Sequence, residues 1–153
     1  MWVALLIAHG LLAFLLLGAL THQTVSAAWP ARSNARFVNS FAAVRSAAYT
    51  NAVIVLFLAT FVLGGAIYID YRLGAKVALE QLRMFGPVGL FELKEHFTAM
   101  ALALLPTYWL LWKKVRPEAH RRARMLVTGV ICFCAWWSFI VGHVLNNIRG
   151  LGA

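Results

Sequence analysis

Charged side chains are scarce in this sequence, and acidic ones are the scarcest. Only 12% of the residues are charged, with 5 Asp and Glu against 14 Lys and Arg, whereas 62% are hydrophobic. An ordinary soluble domain carries about a quarter charged residues and needs less apolar material to fill its core. This composition argues against such a domain and predicts a protein whose solvent is the lipid bilayer.

Cysteine is nearly absent as well. The two cysteines, Cys132 and Cys134, stand two positions apart in one apolar run, and that spacing points them to different sides of a helix. We therefore expect buried thiols rather than a disulfide or a CxxC redox pair. The sequence also shows no nucleophile paired with a base and no phosphate-binding loop. Because apolar runs take up most of the chain, any function should lie in or at the membrane.

Four apolar stretches are long enough to cross a bilayer core about 30 Å thick, which takes about 20 helical residues. They cover residues 2–20, 51–69, 91–112 and 125–145. Two shorter amphipathic stretches should lie in the membrane interface, at 36–47 and 73–83. We predict an all-α integral membrane protein in which residues 1–153 form one domain, a four-helix transmembrane bundle with short interfacial helices in its loops.

Two of the four stretches depart from a simple span. The third carries ionisable residues at positions 92 and 94–96 and is interrupted by Pro106, so it is the least regular. The first could instead be a signal peptide, since Val-Ser-Ala at 25–27 resembles a cleavage site. Its start has neither Lys nor Arg, and its apolar run is long for a signal peptide, so we favour a retained helix.

Basic residues in the loops indicate how the chain is oriented. The loop at 23–50 has three Arg and no acidic residue, and the loop at 113–124 has six Lys or Arg against one Glu. Both loops lie on one side of an even-numbered bundle, and the positive-inside rule assigns that side to the cytoplasm. In a bacterial inner membrane both termini would then be periplasmic. We expect these charges to contact lipid headgroups and no nucleic acid.

Three histidines stand at a similar depth on three different predicted spans. His9, His96 and His143 all fall in the outer leaflet, and Glu92 shares a helix face with His96. Ionisable groups are costly inside a membrane, so their recurrence at one level indicates a functional site. Any two of the histidines could supply the axial imidazoles of a haem b. All three with Glu92 could instead surround a copper, zinc or iron ion.

A quinone is a third candidate ligand. Histidine and carboxylate side chains near the membrane surface, here His96, Glu92 and Glu95, could hydrogen-bond the ring oxygens of a quinone and relay its protons. The aromatic residues at the span ends, such as Tyr68 and Tyr71, are expected only to form an interfacial belt.

Four predicted spans with outer-leaflet histidines at His9, His96 and His143 resemble the small four-helix membrane cytochromes b and the haem-bearing anchor subunits of respiratory complexes. The resemblance implies a single b-type haem and electron transfer between quinol and a periplasmic redox partner. Two other classes stay open at this point. One is a cofactor-free accessory subunit of a larger membrane complex, and the other is a small membrane protein that handles metal ions or protons.

Overall fold

The computed structural model describes residues 2–29, 46–116 and 119–151, and all regular structure in these ranges is helical. A 3₁₀ turn, Ser46–Tyr49, runs directly into the second helix, and a π-helical turn, Tyr71–Ala75, joins that helix to the third. The helices are α1 (Trp2–Ala28), α2 (Thr50–Asp70), α3 (Lys76–Gln81), α4 (Phe85–Lys113) and α5 (Arg121–Leu151). The all-α prediction is therefore confirmed.

Three helical stretches within the described ranges are long and apolar enough to cross a membrane. They are Val3–Ala28, Ser46–Gln81 and Arg121–Ile148. Helix α4 has 29 residues but is not among them, and Glu92, Lys94 and Glu95 lie in its first half. Three of the four predicted spans thus have the length and composition of a membrane helix, and the fourth stays a prediction.

The predicted interfacial segments have different outcomes. Segment 73–83 continues α2 through the π-helical turn into α3, and it ends in the turn that precedes α4. Segment 36–47 falls almost wholly outside the described residues.

The four long helices pack in a ring, with α1 against α2 and α5, and α4 against α5 and α2. Each helix buries one stripe, and Leu20, Val53 and Ile131 are fully buried where the stripes meet. Large apolar side chains such as Phe14 and Val55 are more than 60% exposed on the outer faces. In water this exposure would be unfavourable, but lipid tails solvate such side chains as well as a protein core does. Both cysteines are buried and neither forms a disulfide, as predicted.

A buried polar cluster joins α1, the start of α2 and α4. Tyr108 donates a hydrogen bond to Oε1 of Gln23, and the Thr50 hydroxyl donates to the Ala47 carbonyl oxygen at 3.1 Å. Nε2 of Gln23 donates to the Ser46 carbonyl oxygen at 2.8 Å. Gln23, Thr50 and Tyr108 have no exposed surface, so partners within the protein must replace water. The cluster therefore holds three helices in one register at the end of the bundle far from the N-terminus of α1.

The turn between α3 and α4 uses a left-handed residue. Arg83 has φ 57°, its N–H donates to the Glu80 carbonyl, and the Met84 N–H donates to the Leu79 carbonyl. These two bonds form a Schellman motif, in which glycine usually holds the left-handed position because it has no Cβ to clash.

Replacing Arg83 with Gly should stabilise the fold by about 0.5–1 kcal/mol, because it removes the cost of a left-handed L-residue. The measurement is the thermal unfolding midpoint in detergent, which should rise by a few degrees, about 1–3 °C. Leu82→Gly is the matched control, since Leu82 has φ −78° and gains nothing from glycine. An equal rise in both variants would contradict the assignment.

Replacing Tyr108 with Phe should destabilise the fold by about 1–3 kcal/mol, because the buried oxygen of Gln23 loses its donor. Chemical denaturation of the purified protein would measure the change. Tyr49→Phe serves as the comparison, because Tyr49 is 39% exposed and water can replace any bond that its hydroxyl makes. Equal stability of the Tyr108→Phe variant and the wild type would show that the cluster does not hold the helices together.

Candidate functional site

A cavity of about 1110 Å³ lies among the four long helices, in the half of the bundle that contains the start of α1. This volume is at the upper end of the range for pockets that enclose cofactors and small molecules. Each long helix contributes to the wall, with His9 from α1, Gly64 from α2, Lys94 from α4 and His143 from α5.

His9 packs against α2 at Gly64, where a side chain would crowd its ring. A methyl group added at Gly64 would stand 3.1 Å from Cε1 of His9, closer than ordinary van der Waals contact. The Nδ1 atom of His9 is buried and has no hydrogen-bond partner among the described residues. A buried ring nitrogen of this kind carries a desolvation cost that a bound ligand would relieve.

Glycine leaves open space at several other points of the cavity wall. A methyl group added at Gly10, Gly65, Gly74 or Gly142 would meet no atom within 4 Å. These glycines belong to α1, α2, the π-helical turn and α5, and all four line the cavity. Bare backbone on several sides gives the cavity room for a wide, flat molecule.

The structure brings two of the three predicted histidines to this cavity. His143 follows Gly142 on α5 and lines the cavity while remaining exposed at its edge. His9 lines it from α1, which packs against α5. Two imidazoles from neighbouring helices therefore line one cavity.

His96 and Glu92 lie on a different face of α4. His96 is exposed, and its Nδ1 donates to the Glu92 carbonyl oxygen at 2.7 Å. The Glu92 carboxylate is also exposed and pairs with the Lys76 ammonium at 2.9 Å. Neither side chain lines the cavity, whereas Lys94 and Glu95 do. Residues 92 and 96 share a helix face, as the sequence indicated. Because successive residues are rotated by about 100° around the helix axis, Lys94 and Glu95 lie on another face, and that face borders the cavity.

The four-ligand metal site is consequently not assembled. The described part of the chain has no group of three or more His, Cys, Asp or Glu side chains that could hold a metal ion. The structure does not bring His9, His96, His143 and Glu92 together around one point.

Sequence reasoning missed an aromatic cluster at the cavity wall. Tyr71 stacks on Phe91 with ring centroids 3.8 Å apart and an interplanar angle of 14°, and Tyr68 stacks on Phe91 at 5.9 Å. All three rings line the cavity, and the Tyr71 hydroxyl is buried without a hydrogen-bond partner among the described residues. A signal was present, because positions 64, 68 and 71 follow helical spacing and share one face. The π-helical turn that starts at Tyr71 had no such signal, although turns of this kind are frequent at functional sites.

Comparisons with protein-family models, with curated proteins and with solved structures find no match for this chain. The functional argument therefore rests on the side chains that line the cavity. They include two imidazoles, one ammonium, one carboxylate and a tyrosine hydroxyl, supplied by His9, His143, Lys94, Glu95 and Tyr71.

Replacing Gly64 with Ala should displace the His9 ring, because the new methyl group would stand 3.1 Å from Cε1. Overpacking of this kind costs about 1 kcal/mol or more. Nitrogen NMR of ¹⁵N-histidine-labelled protein should show a shift of the His9 ring resonances. Gly65→Ala is the matched control, since its methyl group would meet nothing within 4 Å. Unchanged His9 resonances in the Gly64→Ala variant would contradict the described packing.

Proposed function

We propose that this protein is a membrane electron-transfer subunit whose cavity would hold one haem b, with His9 and His143 as the side chains that would bind its iron. The observation that carries the proposal is that both imidazoles line one cavity, where Nδ1 of His9 is buried without a partner among the described residues. A bound haem would supply a one-electron redox couple inside the membrane.

The residues of the cavity fit such a group in three respects. The volume of about 1110 Å³ accepts a large cofactor, and four glycines of the wall leave open space where side chains would stand. The His9 ring packs against Gly64 of α2, and its Nδ1 atom is buried without a partner among the described residues. Apolar walls exclude water and so favour a buried macrocycle.

We further propose that α4 is the fourth membrane span and that both termini face the periplasm. The charges in the first half of α4 are compatible with this, because each has an oppositely charged partner or borders the cavity. Glu92 pairs with Lys76, while Lys94 and Glu95 face the cavity. At the other end of the bundle, the loop at 113–124 carries six Lys or Arg, which favours the cytoplasmic side for that end.

In this proposal the exposed His96 and the Lys76–Glu92 ion pair form the surface where a quinol or a periplasmic redox partner approaches. His96 keeps one ring nitrogen bound to the Glu92 carbonyl, so its other nitrogen can exchange a proton with a quinol. Electrons would pass from this surface to the cavity, or in the reverse direction.

An absorbance spectrum with elemental analysis of the detergent-purified protein tests the proposal. We expect a Soret band and about one iron per chain, as for one b-type haem. His9→Ala and His143→Ala should each lose most of the bound haem, because each removes an axial ligand. His96→Ala is the matched control and should keep it, since the exposed His96 does not line the cavity.

The other classes of protein correspond to other outcomes of the same experiment. Absence of both a Soret band and iron would refute the haem proposal. Copper or zinc in stoichiometric amount would favour a metal-ion site. Intact assembly and activity of a host complex after substitution of all three histidines would favour a cofactor-free accessory subunit.

A further inference from the structure

Lys94 is a cation at the wall of an otherwise largely apolar cavity. Its side chain is partly buried, and its ammonium group stands 4.3 Å from the centre of the Phe91 ring. Both ion pairs found in the described ranges belong to Lys76, which bonds Glu92 at 2.9 Å and Glu80 at 3.8 Å. Lys94 therefore has a cation–π contact but no carboxylate within ion-pairing distance in those ranges.

Tyr71 places a second donor beside the same ring. It stacks on Phe91 at 3.8 Å, and its hydroxyl is buried with no partner in the described part of the chain. Both Tyr71 and Lys94 line the cavity. An ammonium and a hydroxyl that lack acceptors would each gain from an anionic oxygen, and hydrogen bonds to a charged group are the strongest that a protein forms.

We infer that Lys94 binds an acidic group of the molecule that occupies the cavity, with the Tyr71 hydroxyl as a further donor. This inference rests on the proposed function, and for a haem b the acidic group is a propionate. A cavity that is largely apolar but has one cationic side chain at its wall favours a ligand with an apolar body and an acidic group. The histidines hold the body of the ligand, and Lys94 fixes which edge of it faces α4 and the π-helical turn.

Glu95 opposes this binding and gives the inference a second test. Its carboxylate is partly buried and lines the same cavity, so it repels an anionic ligand. Removing the Lys94 charge should weaken the binding of an acidic ligand, whereas removing the Glu95 charge should strengthen it. A merely structural role for both residues predicts no such opposite response.

The experiment compares iron protoporphyrin IX with its dimethyl ester, which has the same ring and iron but no acidic group. Protein from cells grown without haem supply is titrated with each probe and followed at the Soret band, after circular dichroism has verified its helix content. The wild type should prefer the acid by about tenfold to a hundredfold in Kd. Lys94→Gln should lose most of this preference, Lys94→Arg should keep it, and Glu95→Gln should increase it. Lys76→Gln is the matched control, because Lys76 carries the same charge but does not line the cavity.

Equal affinity of the wild type for acid and ester would overturn the inference and leave the haem proposal standing. An undiminished preference in Lys94→Gln would also overturn it. Failure of the wild type to bind either probe would refute the haem proposal and this inference together. If Lys94→Gln does not fold, Lys94→Arg and Glu95→Gln test the inference instead. An unchanged preference for the acid over the ester in Glu95→Gln would contradict an anionic group bound beside Lys94.

Discussion

A polar group inside a bilayer must find its partner within the protein, because lipid tails offer none. The bundle meets this constraint well in one half. There Tyr108 donates to Gln23, and Gln23 and Thr50 donate to main-chain carbonyl oxygens, although none of the three has any exposed surface. In the other half Nδ1 of His9 and the hydroxyl of Tyr71 are buried without partners among the described residues, and both residues line the cavity. Nε1 of Trp137 is also buried without a partner among those residues, but it does not line the cavity. The cavity wall therefore carries two buried polar atoms that a ligand could bond.

Small residues make the cavity possible. Helices in a membrane gain little from burying apolar surface against one another, so close packing and hydrogen bonds hold them together. At Gly64 the absent side chain is replaced by the His9 ring, which packs onto bare backbone. At Gly65 and Gly142 no side chain takes the vacant space. Glycine therefore allows a close helix contact at Gly64 and leaves open space in the cavity wall at Gly65 and Gly142.

Helix α4 illustrates how much of the site could be predicted. The charged residues near its start belong to the stretch of α4 that borders the cavity. Glu92 and His96 share a helix face, as the sequence indicated. That face is exposed, however, and the cavity is lined by Lys94 and Glu95. Spacing along a helix gives relative angles between side chains, but the rotation of the whole helix depends on its packing against α2 and α5. A sequence pattern contains no information about that rotation for a helix with charges on several faces.

Sequence alone determined the helical class of the protein, three segments able to cross a membrane and the buried state of both cysteines. These properties follow from composition and local hydropathy, which depend on neighbouring residues only. Tertiary structure decided that His9 and His143 share a cavity and that His96 does not line it. It also decided that Tyr71, Phe91 and Lys94 line the same cavity, and that the His9 ring packs against Gly64. Each of these depends on how helices distant in sequence rotate and pack against one another. Because the bilayer solvates every outer face alike, side-chain contacts between the helices determine that rotation.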